Sequence, residues 1–412
     1  MRKQEGKVTI HMFAASGFAA AMLIMLLMLF LSPKMISAAS TNLAGVEVMG
    51  DKKQIAGTFN EQGQIVMNVC TKPQNGSSAG YINSNTLNTL CSGDQKKTIV
   101  IPAGSRVELT NVVYLGSNTT IIADGATIVM LSDDKGIFSN KPDAVKYRSL
   151  TNVKIQGGTW KITDKQNACS VMAFNHGSNL EIDNVTILSN YESHAIELIA
   201  MKNVTVKNST LKVDGKRKKN SVEEALQIDV ATPTTAPALV PYGKKYVKGQ
   251  TCKNIKILNN QIEGSRGVCA NYCNTAGGKY INKFHDNIVI QGNTMIGYSA
   301  EGCTLYNTLH AVVKNNRILT YSARKNKSYS VGLNITIQGK ASKKKLNTSK
   351  ITVTKNTVYG YRQGIQVVTR SSSQYKTAIV KNNKSYASSK KNAVVVSGSK
   401  SVKNIKNQIG KR

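Results

Sequence analysis

A short phrase in which apolar residues alternate with polar ones, framed by Asn, recurs along most of this chain. It reads NVKIQGGTW at 152–160, NLEIDNVTI at 179–187, NVTVKNSTL at 203–211, NIKILNNQI at 254–262 and NIVIQGNTM at 287–295, then AVVKNNRIL, KITVTKNTV and AIVKNNKSY up to residue 386. Period-two alternation is the pattern of a strand with one buried face. None of these strands is long enough to bury that face alone, so like must stack on like to enclose a continuous core. The shared Asn recurs after 27 and 24 residues (152 to 179 to 203) and after 33 (254 to 287), which is a solenoid period; the step from 203 to 254 is a coil with insertions. The expectation is an all-β chain, a single-stranded parallel β-helix of roughly a dozen coils of ~25 residues over 97–412. TIVIPAG (98–104) and NTTIIADGATIVM (118–130) open it. Asn at the phrase ends suits turns, because it tolerates left-handed backbone and its amide can bond to the Asn of the next coil.

Ahead of the repeat, Arg2, Lys3 and Lys7 precede an apolar run at 12–31 and the small residues Ser37, Ala38 and Ala39. Residues 1–39 therefore read as an export signal, either cleaved after Ala39 or kept as a membrane anchor, since a span needs roughly 20 residues. Residues 40–96 read as an N-terminal segment and cap with a short helix at 82–90. The seven cysteines lie in an exported chain, where disulfides form. Cys70 and Cys91 could staple the cap; buried, reduced thiols are the other reading. Cys269 and Cys273 have no second pair at ligand spacing, which argues against zinc.

Lys plus Arg number 55 against 22 Asp plus Glu, a formal charge of +33. For an exported chain this suits an anionic polysaccharide or cell-envelope polymer as partner, or simply a solvated basic surface. The basic residues are spread through the repeats, which together with export argues against nucleic acid. Membrane contact is expected only through an uncleaved N-terminal segment.

The stretch 192–229 gathers carboxylates that are scarce elsewhere in the chain, Glu192, Glu197, Glu223, Glu224 and Asp229 among them, and nearly balances the basic charge. HAIELI (194–199) and EALQID (224–229) alternate so that Ile196, Leu198, Leu226 and Ile228 face the core while Glu197, Gln227 and Asp229 face outward. Stacking the coils by their repeat phrases puts Ser170, His194, Glu224 and Arg266 in one file. A second file holds Ala173, Glu197, Gln227 and Cys269, and a third holds Asn175, Ile199, Asp229 and Asn271. Glu197 and Asp229 then sit on neighbouring rungs with backbones about 8 Å apart, from ~4.8 Å between rungs and ~6.6 Å along two residues.

TIVIPAGSRV, GSNTTIIADGATI and the repeated N-φ-x-φ-x-N phrase (φ apolar) resemble the right-handed parallel β-helix, pectate-lyase-like and polygalacturonase-like superfamily of secreted carbohydrate-active proteins, over most of 80–410. HAIELIAMKNVTVKNSTL followed by EEALQIDV resembles a matching pair in surface proteins of Gram-positive bacteria. The resemblance implies a right-handed helix, a secreted or cell-surface location in a Gram-positive-type bacterium, and action on a polysaccharide as a glycoside hydrolase or polysaccharide lyase. The chain lacks the Gly-His-Gly of polygalacturonase-type hydrolases and the calcium-binding aspartate set, with its following Arg, of pectate lyases. Where the surface-protein subgroup would read Gly-Ile-Gly-Ser-His, this chain has Gly267, Val268, Cys269, Ala270 and Asn271. Asn271 thus stands in the place of a His.

Two outward carboxylates on adjacent rungs fit two chemistries. In hydrolysis one of Glu197 and Asp229 is the general acid and the other the base that activates water, at a spacing near the about 6.5–9.5 Å of inverting enzymes, with Lys and Arg holding an acidic sugar. In a lyase, Arg266 or a divalent cation such as calcium neutralises a uronate while a base takes the adjacent proton; otherwise no cofactor or metal is expected. Alternatively the carboxylates pair with Lys or Arg along the ladder. His194 against Glu224 reads either as an acid–base couple or as a structural strand-end His. The candidate catalytic set is therefore Glu197, Asp229, His194 and Glu224, and the candidate substrate contacts are Arg266, Gln227, Asn271, Tyr242 and Tyr272. The basic segment 215–220 and the loop 231–250 flank this set, as cleft-forming loops do. A non-catalytic polysaccharide-binding or adhesin-type surface protein is the competing function, and a phage-tail-like fibre the more distant one.

Overall fold

A computed structural model of the protein describes residues 43–50, 54–162, 169–190, 194–214, 223–272, 282–322, 329–338, 346–369 and 373–412. The export signal at 1–39, Glu192, Cys273 and the basic segment 215–220 lie outside the described residues.

Each repeat phrase supplies a strand to two sheets, and the segment after it supplies a third. The coil beginning at residue 151 shows the pattern with Thr151–Gln156, Thr159–Ile162 and Met172–Asn175. Stacked, these become a first sheet of 14 strands, a second of 11 and a third of 10. Pairing from coil to coil is parallel throughout; at the N-terminal end the first sheet runs on into Glu47–Met49, Ile55–Phe59 and Ile65–Met67, which pair antiparallel with one another. The result is a right-handed parallel β-helix. The third sheet's 10 strands mark 10 complete coils among the described residues, fewer than the expected dozen because insertions such as 231–250 lengthen single coils.

Inward positions of the phrase, such as Val204, Val206, Ile255, Ile257, Ile288 and Ile290, are fully buried and join one apolar core that runs the length of the helix. The helix Ala79–Cys91 buries Leu87, Leu90 and Cys91 in the N-terminal end of that core. It begins a turn earlier than its apolar residues suggest because Ser78 Oγ accepts the Tyr81 N–H and caps it. Cys70 packs in a separate small cluster with Ala79 and Ile82 while Cys91 belongs to the main core, both as buried thiols, the second of the two readings. All six described cysteines are free thiols. No helix among the described residues is long and apolar enough to cross a membrane.

Two Asn ladders bind the coils together. On the surface, Asn118, Asn152, Asn179, Asn203, Asn254 and Asn287 all adopt the left-handed region, with φ of 53–59°. From Asn152 on, each amide donates to the Asn one coil earlier at 2.8–3.0 Å, and the Asn118 amide donates to the Asp94 carbonyl. The second ladder is buried: Asn260, Asn293, Asn316, Asn356 and Asn383 each accept the backbone N–H of the preceding Asn through Oδ1, or pass the same bond onward. Replacing Asn316 by Leu strips the Asn293 N–H of its 2.9 Å acceptor and the Ile290 carbonyl of its donor. With about 1–3 kcal/mol for each buried group left unsatisfied, Asn316→Leu is expected to cost about 2–4 kcal/mol. Asn152→Ala on the exposed ladder is expected to cost about 1–2 kcal/mol, the left-handed backbone being its main penalty. Urea unfolding of both variants checks the order; equal losses would contradict it.

Candidate functional site

Met172–Asn175, Ile196–Ile199, Glu224–Asp229 and Arg266–Ala270 are consecutive strands of the third sheet. Their register runs Ala173 to Glu197 to Gln227 to Cys269, Ile199 to Asp229, and Glu224 to Arg266, as the repeat phrases predict. Ile196, Leu198, Leu226 and Ile228 point into the core and are fully buried.

The insert 231–250 folds over the outward face of this sheet. Its ends meet at an antiparallel bridge between Ala231 and Gln250, and Leu239, Tyr246 and Val247 pack on Ile199 and Ala200. His176 Nε2–H donates to the Tyr246 carbonyl at 2.8 Å, which pins the insert to the rung below. An open cleft of about 500 Å³ remains between the insert and the preceding coils. Ser170, His194, Glu197 and Gln227 line it from the sheet, Tyr242 from the insert, and Tyr114 and Asp134 from the earlier coils.

Glu197 is half-buried in this cleft and accepts a 2.9 Å hydrogen bond from Ser170 Oγ at Oε2. His194 donates Nδ1–H to the Glu224 carbonyl at 2.7 Å, and its Nε2 lies 3.5 Å from the Glu223 carboxylate. Burial opposes the imidazolium, but the carboxylates of Glu224, Glu197 and Glu223 together outweigh it and hold the His194 pKa above its ordinary value. The cleft thus pairs a carboxylate with an imidazole biased toward its protonated form.

Asp229 departs from the expectation. Its side chain leaves the coil on the outward face, yet it is 0% exposed, sealed in the file that the insert covers, and it does not line the cleft. Its two carboxyl oxygens make no well-formed hydrogen bond; the Asn271 amide nearby only moderates the effect of burial. Burial first, then the charges of Glu197 and Glu224, push its pKa well above the carboxylate range. Asp229 sits behind the cleft wall, where burial and the neighbouring carboxylates favour its protonated form.

Glu224 and Arg266 are buried as well. Both are about 4% exposed, and Arg266 Nη1 donates to Glu224 Oε1 at 2.6 Å while Nε donates to Glu301 Oε2 at 2.9 Å. Arg266 is thus engaged by two buried carboxylates. Asn334 Nδ2 then bonds Glu301 Oε1 at 3.2 Å, and Gln366 Nε2 bonds Asn334 Oδ1 at 2.8 Å, so the network climbs three more rungs. Asn271 accepts His285 Nε2–H at its carbonyl, at 2.7 Å, and Tyr272 packs edge-on against Tyr306; neither lines the cleft. His285 accepts the Cys252 N–H at Nδ1 and burial lowers its pKa to about 4, so it is a neutral structural His.

Of the nine candidates, Glu197, His194, Gln227 and Tyr242 come together in the cleft, while Asp229, Glu224, Arg266, Asn271 and Tyr272 do not line it. Two residues escaped the sequence reading. Glu301 lies one rung beyond Arg266 in the first file and was one step from being found. Asp134, beside Asp133, falls in a loop between strands, where a repeat-based reading has no register. Among the described residues one group, His194, Glu223 and Glu224, has potential metal-ligand atoms within 4.8 Å of one another, but Arg266 already claims a Glu224 oxygen.

No protein-family model and no curated protein matches this chain. Among solved structures it is similar to PfbA, a surface adhesin of Streptococcus pneumoniae, with a TM-score of 0.57 and 15% identity over 81% of this chain and 89% of that one. A second structure of that surface protein and adhesin gives 0.50 and 16%, over 79% and 92%. The Geobacillus virus E2 ORF18 protein gives 0.48 and 12%, over 83% and 61%. At such identities the first two show a shared fold and leave activity open.

Two variants check the electrostatics. Arg266→Met leaves Glu224 and Glu301 buried without a counter-charge, and removing one partner of a buried ion pair costs about 3–5 kcal/mol; a loss of that size in denaturant unfolding is expected. A carboxyl held protonated by the fold stabilises it most at low pH, and the contribution fades as pH rises through the elevated pKa. Asp229→Asn, fixed neutral, is therefore expected to gain in Tm over the unmodified protein as pH is raised from about 5 to about 8. A Tm difference independent of pH would show that Asp229 is ionised in the folded chain.

Proposed function

We propose that the protein acts on a polysaccharide chain lying in the cleft, as a glycoside hydrolase, and that it is secreted or held at the surface of a Gram-positive-type bacterium. The observation that carries this reading is the pairing of Glu197 with His194 on one cleft wall, with Tyr114 and Tyr242 beside them to receive sugar faces. In hydrolysis the His194 imidazolium gives its proton to the leaving glycosidic oxygen, while the Glu197 carboxylate takes a proton from the attacking water. A lyase fits less well, because Arg266, the cation expected to neutralise a uronate, is already bound by Glu224 and Glu301. The mechanism as drawn asks for no cofactor.

A second reading is a non-catalytic polysaccharide-binding or adhesin-type protein. The sealing of Asp229 favours it, since the cleft then lacks one of the two carboxylates expected of a hydrolase. Under either reading the charge of +33 supports attraction to an anionic polysaccharide or cell-envelope polymer.

A glycan panel assayed for new reducing ends and for unsaturated products separates hydrolase, lyase and binder. Glu197→Gln and His194→Gln are each expected to lower turnover at least ~100-fold, the usual scale of a general acid or base, with little change in stability for Glu197→Gln. Full activity in both variants would place the chemistry elsewhere; tight binding with no product from any glycan would establish the binder. Affinity for an anionic polymer is expected to fall steeply as salt is raised beyond physiological strength, where the Debye length is already only about 8 Å.

A further inference from the structure

A second open cavity, of about 390 Å³, sits where the chain leaves the insert and enters the first sheet. Tyr147, Lys253, Lys283, Phe284, Asp286 and Leu309 line it. Its lysines come from different segments: Lys253 opens the strand Lys253–Leu258, and Lys283 lies just ahead of the strand Asp286–Gln291. Lys202, one rung below Lys253 in register, brings its Nζ to 6.0 Å from the Tyr147 ring at the cavity's edge. Among the described residues none of these three lysines pairs with a carboxylate. Asp286, the one carboxylate in the lining, is engaged at 2.6 Å by His310 Nδ1–H. The apolar side of the cavity is fixed: Phe284 is buried, and the Tyr147 hydroxyl is tied to the Thr251 carbonyl at 2.8 Å, holding the ring in place.

Lys202 and Lys253 share a register position on adjacent rungs, where like charges repel one another. Asp286 is the next rung's partner of Lys253, and a bound anion relieves the repulsion of the lysines. A held aromatic ring beside them suits the apolar face of a sugar. We propose that this corner pocket is a separate binding site for an acidic glycan, in which Lys253 and Lys283 hold an anionic substituent of the sugar, with Lys202 at the rim, and Tyr147 packs against the ring. It is a binding site only, independent of the chemistry assigned to the cleft, and it gives the diffuse basic charge of the chain one specific locus.

The test uses the full chain and three probes of equal length: an oligogalacturonate, a sulfated neutral oligosaccharide and the unsulfated parent, titrated calorimetrically at physiological salt. Lys253→Glu with Lys283→Glu is compared with Lys381→Glu plus Lys403→Glu, the same charge change on exposed positions of the last coils. The expected result is a loss of at least about 10-fold in affinity for the acidic probes in the first pair, against less than about 2-fold in the second. Binding of the uronate, the sulfate or both supports the site and identifies the anion; equal losses in the two pairs, or no preference for acidic probes, overturns it. Lys253→Ala with Lys283→Ala repeats the measurement without introducing acids, should the Glu pair disturb folding. The readout is binding and not turnover, so failure of the hydrolase reading leaves this result standing.

Discussion

Parallel stacking at ~4.8 Å per rung gives every side chain a neighbour one coil below and one coil above at nearly the same place. For the inward Val and Ile positions this is simply a core. For Asn it is an opportunity, because an amide can donate to one neighbouring coil and accept from the other without limit; the surface ladder donates to the coil below and the buried ladder to the coil above. For charged residues it is a restriction, since a repeated charge would face itself. The chain answers by alternating signs: Lys154 is followed one rung on by Glu181, at 3.3 Å, and Glu224 by Arg266 and then Glu301. The buried triad in the third sheet is thus the stacking rule applied where water is absent, and there the alternation has to be complete, because an unpaired buried charge is far more costly than an exposed one.

Two carboxylates in the central stretch have rung neighbours that supply no cation, and they reach opposite ends. Glu197 lies between Ala173 and Gln227, keeps access to the cleft, and is oriented by Ser170. Asp229 lies above Ile199, under the insert, and its pKa is pushed upward instead. His194 stands between these outcomes: its Nδ1 is fixed to a backbone carbonyl, yet three carboxylates around it favour the imidazolium. The charges of Glu197 and Glu224 also help keep Asp229 neutral, so the stretch behaves as one electrostatic unit rather than as four independent groups.

The register was legible because Asn marks the phrase ends and the coils between 152 and 295 keep that mark; the three files along the third sheet follow from it. What a period of two cannot tell is whether an outward side chain meets water. Asp229 leaves the coil on the outward face as expected and is buried all the same, because the insert 231–250 covers that face. Glu224 and Arg266 are buried in the network that runs on to Glu301, Asn334 and Gln366. The insert has no repeat signature, so its docking through Leu239, Tyr246 and His176 could not be placed from spacing. Asp134 was invisible for the same reason: it belongs to a turn, whose side chains take their places from local backbone geometry and not from the stack.

The same division separates attraction from chemistry. Lys and Arg are distributed through the repeats and reach the surface on the first sheet, whereas the described walls of the cleft carry Glu197, Asp134 and His194, with Arg266 withdrawn behind them. On the proposed reading, a long anionic polymer is held along the basic surface by many weak, screened contacts, while the cleft would take a short stretch of glycan by shape, by Tyr114 and Tyr242, and by a few directed hydrogen bonds. Had the lysines lined the cleft, they would have stabilised Glu197 as a permanent ion pair and lowered its worth as a proton acceptor. Keeping the cations on other faces of the same rigid stack leaves that carboxylate available.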